Sequence, residues 1–321
     1  MKILFCGKIF AEAPEFLRKA LPDDEISSCE TLETPRRSMD SDILIPLMTP
    51  LTREIIQNSP ARLIQQWGVG LEGVDMKCAT EKGVMVCNVP GDVTLNADST
   101  AEHAIFLMMA LARKMHEFKD SFEFNRWGSP TGMSLYQTTS LIVGLGRVGK
   151  ALARKLTALG GRVIAITRNG RVPVEERRDF EMIGSLERFH ELAGEADFVI
   201  STTSLNDETR GLFNSRLFDA MKPTAFVINV SRGPVVVDQD LLEALKQGKI
   251  GGAGLDVFST EPFSANPELL RSPKIVASPH IAGVTVQNYA GICSVVAENI
   301  RRLKDCSPLR YCANFPSEPE K

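Results

Sequence analysis

Leu141-Ile142-Val143-Gly144-Leu145-Gly146-Arg147-Val148-Gly149-Lys150-Ala151-Leu152-Ala153-Arg154-Lys155-Leu156 is the stretch that decides the fold. Three apolar residues form a buried strand. A G-x-G-x-x-G turn follows, and a helix-forming run with apolar residues on one face continues from it. The helix gives way at Gly160-Gly161, and a second apolar strand, Arg162–Ile166, begins at once. In this context the glycines have separate tasks. Gly144 allows the tight turn, Gly146 lets a ligand approach the backbone, and Gly149 lets helix and strand pack closely. Arg147 and Val148 lie in the loop itself, and the helix expected to follow from Lys150 offers unsatisfied N–H groups and a positive dipole end to phosphate. The stretch reads as a dinucleotide-binding βαβ unit.

Outward from it the same rhythm repeats. Downstream strands are expected at Phe198–Thr202, Ala225–Val230, Ala253–Val257 and Ile275–Ser278. Upstream strands are expected at Lys2–Cys6, Asp42–Pro46, Leu63–Gly68 and Met85–Asn88, with helices at Pro14–Ala20, Arg53–Asn58 and Lys77–Lys82 between them. Strands alternating with helices predict parallel sheets covered on both faces. A single long helix is expected from Ala97 to Phe118, then a connection lacking apolar rhythm from Ser121 to Ser140, and a last helix from Val286 to Leu303. The fold class is therefore α/β, with two doubly wound parallel-sheet domains. Residues 1–95 and 286–321 form one discontinuous domain, and residues 96–285 form the nucleotide-binding domain.

Composition bounds the function classes. The 321 residues carry a formal net charge of -3, with charges well mixed, so no basic face for nucleic acid is expected. The apolar stretch Ala101–Ala112 is too short for a membrane span. Seven scattered cysteines, an odd number with no C-x-x-C pair, read as free thiols in a reducing, cytoplasmic compartment. With four histidines and no ligand spacing, no metal site is expected.

The end of the second strand of the βαβ unit sets cofactor choice. An acidic residue there would bond a ribose 2′-hydroxyl. This chain has Thr167 and Arg168, with Arg171 close behind. A hydroxyl beside guanidinium groups suits a 2′-phosphate, so NADP(H) is expected over NAD(H).

Three polar residues stand after strands of the second series: Arg232 in Asn229-Val230-Ser231-Arg232-Gly233-Pro234, Glu261 after Gly254-Leu255-Asp256-Val257-Phe258, and His280 in Ser278-Pro279-His280-Ile281-Ala282-Gly283. Ligands bind at the carboxyl ends of strands in open parallel sheets. Arginine can hold a carboxylate and polarise an adjacent carbonyl through its planar fork of donors. Histidine is the natural proton donor near neutrality, and a glutamate on its far ring nitrogen would orient it.

Together with Val69-Gly70-Leu71-Glu72-Gly73-Val74-Asp75 and Asn96–His103, these motifs make the chain resemble the D-2-hydroxyacid dehydrogenase family over almost its whole length. The resemblance extends to the glyoxylate and hydroxypyruvate reductases within it. It implies a flavodoxin-like substrate domain and a Rossmann cofactor domain with a cleft between them. It further implies that Arg232 binds substrate, that His280 with Glu261 is the acid–base, and that Asp256 lies near the nicotinamide. The N–H groups of Val69 and Gly70 would hold the substrate carboxylate, Thr203 would line the nucleotide pocket, and the protein would be a homodimer. The chain departs from the family pattern at the missing acidic residue and at Thr203-Ser204-Leu205, where many members have a proline. Two alternatives share the fold: formate or phosphite oxidation, and a redox-sensing protein like the C-terminal-binding corepressors. Formate members pair their histidine with glutamine, so Glu261 argues for hydroxyacid chemistry.

Overall fold

The computed structural model describes residues 1–261 and 268–315. Residues 262–267, which follow Glu261, and the tail beyond 315 lie outside them. The chain divides into two units. One comprises Met1–Asn96 together with the segment returning from Val284, and the other runs from Ala97 to Gly283.

The first unit holds a five-stranded sheet of β1 (Lys2–Phe5), β2 (Glu25–Ser28), β3 (Ile43–Ile45), β4 (Leu63–Gln65) and β5 (Met85–Cys87), in the order β2-β1-β3-β4-β5. Every pairing is parallel, with Leu4 opposite Leu44 and Ile64 opposite Val86. Ile43, Leu44 and Ile45 are fully buried, as a central strand covered on both faces requires. The helix Val286–Lys304 buries Ile292, Val296 and Ile300 against the same core as Ile3 and Phe5. Each such aliphatic side chain removed from water contributes roughly 1.5–3 kcal/mol before the entropy cost of ordering is counted.

The second unit holds seven parallel strands: β6 (Thr139–Val143), β7 (Arg162–Ile166), β8 (Met182–Gly184), β9 (Phe198–Ser201), β10 (Phe226–Asn229), β11 (Gly252–Leu255) and β12 (Ile275–Ala277). Their order is β12-β11-β10-β9-β6-β7-β8. Strand order reverses at β6, which pairs with β7 on one side and β9 on the other. That reversal is where an open α/β sheet parts its connections and leaves a crevice at its carboxyl edge. The fold class read from the sequence is the one observed.

Two differences from the sequence reading concern local structure. The edge strands β2 and β8 were not expected. Glu25-Ile26-Ser27-Ser28 is half-exposed, with one neighbour strand, and carries no apolar run. The expected helix Ala97–Phe118 is Asn96–Ala112, then a tight turn at Met115–Glu117 and a short helix, Phe118–Glu123. The break has a local cause. The Ala112 carbonyl accepts the Met133 N–H at 2.7 Å, and Lys114 turns into the left-handed region at φ 52°.

Candidate active site

The glycine loop joins β6 to the helix Arg147–Ala158, with Gly146 as its N-cap. A Cβ on Gly149 would lie 2.3 Å from the Gly144 carbonyl oxygen, so the helix can start this close to the strand only without a side chain there. Gly144 has φ +97°, and a Cβ on it would sit 2.8 Å from the backbone of Thr203, in the loop after β9. Gly146 differs from both, because a Cβ there would meet nothing within 4 Å. Its absent side chain thus serves no packing need in the chain and leaves the backbone open to a ligand. Thr202, which sequence reasoning passed over in favour of Thr203, clamps the loop by donating its hydroxyl to the Gly144 carbonyl at 2.6 Å. Only the pairing of β6 with β9 brings that hydroxyl into reach.

Beside the loop is a cavity of about 420 Å³ lined by Gly144, Lys150, Thr167, Arg168, Arg171 and Glu176, among others. The Thr167 hydroxyl is buried and has no hydrogen-bond partner among the described residues. An orphaned polar atom of this kind is costly unless a ligand or water meets it. Lys150 pairs with Glu176 at 2.6 Å, and Arg168 with Glu208 at 2.7 Å. Both partners of the second pair are well exposed, so water screens it and it is easily exchanged for another anion. The open Gly146 backbone, the helix N-terminus and the orphaned hydroxyl fit a dinucleotide.

The proposed acid–base lies in the same unit. His280 Nδ1 is 2.6 Å from Glu261 Oε2, and Glu261 Oε1 accepts the Phe258 N–H at 2.7 Å. A carboxylate only accepts, so Nδ1 carries a proton and Nε2 is the ring nitrogen through which a substrate proton would pass. His280 has φ 55°, unusual for a residue with a side chain, and its loop is fastened on several sides. Its N–H donates to the Asp256 carbonyl at 2.8 Å.

Asp256 is fully buried at the end of β11. Its carboxylate accepts the Ser278 hydroxyl at 2.6 Å and the N–H groups of Ile281 and Ala282, each at 2.9 Å. Three residues, one before and two after His280, are therefore tied to one carboxylate. Ser278 gives its only proton to Asp256, so the His103 ring at 2.7 Å from its oxygen donates through Nε2. His103 also lies 3.4 Å from Asp256 Oδ1. Burial lowers the His103 pKa below 6.5, and the nearby Asp256 charge only partly offsets this.

Arg232 follows β10. Asn229 fixes its backbone, donating to the Arg232 carbonyl at 3.0 Å and accepting the Ser231 N–H at 3.1 Å. Arg232 Nη1 donates to the Ser231 carbonyl at 2.8 Å. In the first unit, Gln66 donates to the Gly70 carbonyl at 2.7 Å and Asn88 to the Val69 carbonyl at 2.8 Å. Among the described residues, the N–H groups of Val69 and Gly70 have no hydrogen-bond partner.

The description "D-isomer specific 2-hydroxyacid dehydrogenase, NAD binding domain" matches residues 105–282, more than half of the chain. The chain belongs to this family. It is 34% identical to the glyoxylate reductase of Pyrococcus furiosus, over 90% of this chain and 91% of that one. It is 33% identical to the D-3-phosphoglycerate dehydrogenase of Archaeoglobus fulgidus over 99% of its own length, but spans only 60% of that protein. The apo structure of D-lactate dehydrogenase from Escherichia coli superposes with a TM-score of 0.84 at 23% identity, covering 97% of this chain and 99% of that one, which bears on the fold. The family member described here is thus a hydride-transferring 2-hydroxyacid oxidoreductase that uses a nicotinamide cofactor. Among the described residues no helix is long and apolar enough to cross a membrane.

Proposed function

We propose that this enzyme reduces a small 2-keto acid, glyoxylate or hydroxypyruvate, to the 2-hydroxy acid, with NADPH preferred over NADH. The observation that carries the reading is the Glu261–His280 pair at 2.6 Å, held on a loop that Asp256 fastens. The reduced nicotinamide, when bound, supplies the hydride. Arg232 holds the substrate carboxylate and draws electron density toward the carbonyl oxygen. The N–H groups of Val69 and Gly70 are proposed as further donors to that carboxylate. His280 delivers a proton from Nε2 to the developing alkoxide, and Glu261 keeps the ring in the required tautomer. The names of the relatives support glyoxylate as the first substrate to try. Because Glu261 fills the place where formate members have glutamine, the formate reading is not favoured.

The NADPH preference rests on the strand end after β7. A carboxylate there would repel a 2′-phosphate, whereas here the unsatisfied Thr167 hydroxyl sits beside Arg168, Arg171 and Lys150. Arg147, Val148 and Gly149 at the helix start are assigned to the pyrophosphate. Asp256 is assigned a positioning task, through the loop that carries His280.

We also assign the enzyme to the cytoplasm as a homodimer. Phe122, Phe124 and Trp127 are 73%, 65% and 80% exposed, a cluster of aromatic surface that supports self-association. Light scattering of the purified protein tests this. The reaction is tested with a panel of 2-keto acids assayed in parallel with NADH and NADPH. The reading expects glyoxylate or hydroxypyruvate to lead with NADPH. Equal rates with the two cofactors would remove the cofactor assignment, and absence of turnover with every keto acid would remove the substrate assignment.

A further inference from the structure

Cys87, the last residue of β5, stands opposite Cys312 in an isolated antiparallel bridge between the sheet edge and the C-terminal segment. The hydrogen bonds around the bridge come from the flanking residues. Asn88 N–H donates to the Tyr311 carbonyl at 3.3 Å, and Ala313 N–H to the Val86 carbonyl at 2.7 Å. Cys87 and Cys312 are therefore a non-hydrogen-bonded pair. Residues so placed have Cα atoms about 4.5 Å apart and side chains on the same face. That separation falls inside the range a disulfide spans, about 4.4–6.8 Å. Both cysteines are thiols in this structure.

We propose that Cys87 and Cys312 form an oxidation site at which peroxide converts the pair into a cross-strand disulfide. Cys312 is the attacking sulfur, since it is partly exposed while Cys87 is buried. A hydrogen bond from the Cys87 thiol lowers the Cys312 pKa from its ordinary value, against the opposing effect of burial, and so raises its share of the nucleophilic thiolate. In the first step the Cys312 thiolate attacks one oxygen of hydrogen peroxide. The O–O bond breaks, hydroxide leaves and a sulfenic acid forms. In the second, the Cys87 sulfur displaces hydroxide from the sulfenic sulfur. The S–O bond breaks, the S–S bond forms, and the Cys87 proton leaves with hydroxide as water. Two thiols are oxidised and one peroxide is reduced to two waters.

The bond would anchor a segment that is otherwise attached to the sheet edge by non-covalent contacts. Besides the bridge, these come from Asn314, which accepts the Val86 N–H and donates to the Val84 carbonyl, each at 2.8 Å.

The test treats the reduced full-length protein with hydrogen peroxide, alkylates the remaining thiols and digests with trypsin. Residues 83–113 and 311–321 are single tryptic peptides, each with one cysteine. The expected product links the two, lighter than their sum by about 2 Da, and reverts on reduction. Cys312→Ser, a change at a partly exposed position, should fold, abolish the linked peptide and leave Cys87 open to alkylation after unfolding. The proposal is overturned if both thiols stay alkylatable while the exposed Cys306 oxidises. A Cys312 that accumulates as sulfinic acid or bonds to Cys306 overturns it equally.

Discussion

Gly233 lies so close to Phe258 that an added Cβ would be 1.8 Å from that residue's carbonyl carbon and oxygen. The loop that presents Arg232 is thereby packed backbone to backbone against the end of the segment leading to Glu261. A proposed substrate-binding cation and the proposed partner of the acid–base are kept in register by an absent side chain.

Gly233→Ala should therefore damage both stability and chemistry. Backbone cannot yield as a flexible side chain can, so a loss of about 3 kcal/mol or more is expected. Thermal unfolding and kcat/KM on the same sample measure it. A fully stable, fully active variant would show that the two loops are not coupled through this contact.

The nucleotide-loop glycines should separate by consequence. Gly149→Ala drives a Cβ into the Gly144 carbonyl and should lower the melting temperature. Gly146→Ala meets open space, so it should leave the melting temperature nearly unchanged while raising the cofactor Kd by about tenfold or more. Calorimetric titration with NADPH, read beside an unfolding scan, distinguishes the two effects.

Asp256→Asn should reduce kcat more than its effect on cofactor binding would suggest. The amide would point N–H groups at some of the Ser278, Ile281 and Ala282 donors, leaving buried donors unpaired at about 1–3 kcal/mol. The His280 loop should loosen, and hydrogen exchange at Ile281 and Ala282 would report it. Unchanged exchange would deny Asp256 its positioning task.

His103 supplies a pH dependence. Its folded pKa lies below 6.5 because burial disfavours the charged ring. The unfolded chain therefore binds more protons as pH falls below 6.5, and stability should decline through the window between 6.5 and the lower folded value. Above 6.5 this contribution is constant. His103→Gln keeps a donor for Ser278 and should flatten that part of the profile in denaturant titrations at several pH values. An unchanged slope would place the proton uptake elsewhere.

How much of this was legible in the sequence follows from distance along the chain. The β6–glycine–helix unit is contiguous, so strand, turn and helix could be read together. Arg232 and Glu261 could be found because each follows a buried strand, and His280 because it follows the apolar run Ile275–Ala277 at the sheet edge. Edge strands such as Glu25–Ser28 lack the second neighbour that would demand apolar residues. Thr202 on Gly144, the His103–Ser278–Asp256 chain and the Cys87–Cys312 bridge each join segments far apart in the chain that only the tertiary fold brings together. No local pattern announces such contacts. The turn at Lys114 was likewise hidden, because it depends on Met133 returning to the Ala112 carbonyl.

The sharpest single measurement is the turnover of His280→Asn on glyoxylate with NADPH. Asparagine tolerates the left-handed backbone that position 280 adopts, so the loop is preserved while the proton donor is removed. The account predicts a kcat lower by about 10²–10⁴ with the NADPH Kd unchanged. A variant that turns over as fast as the parent would contradict it.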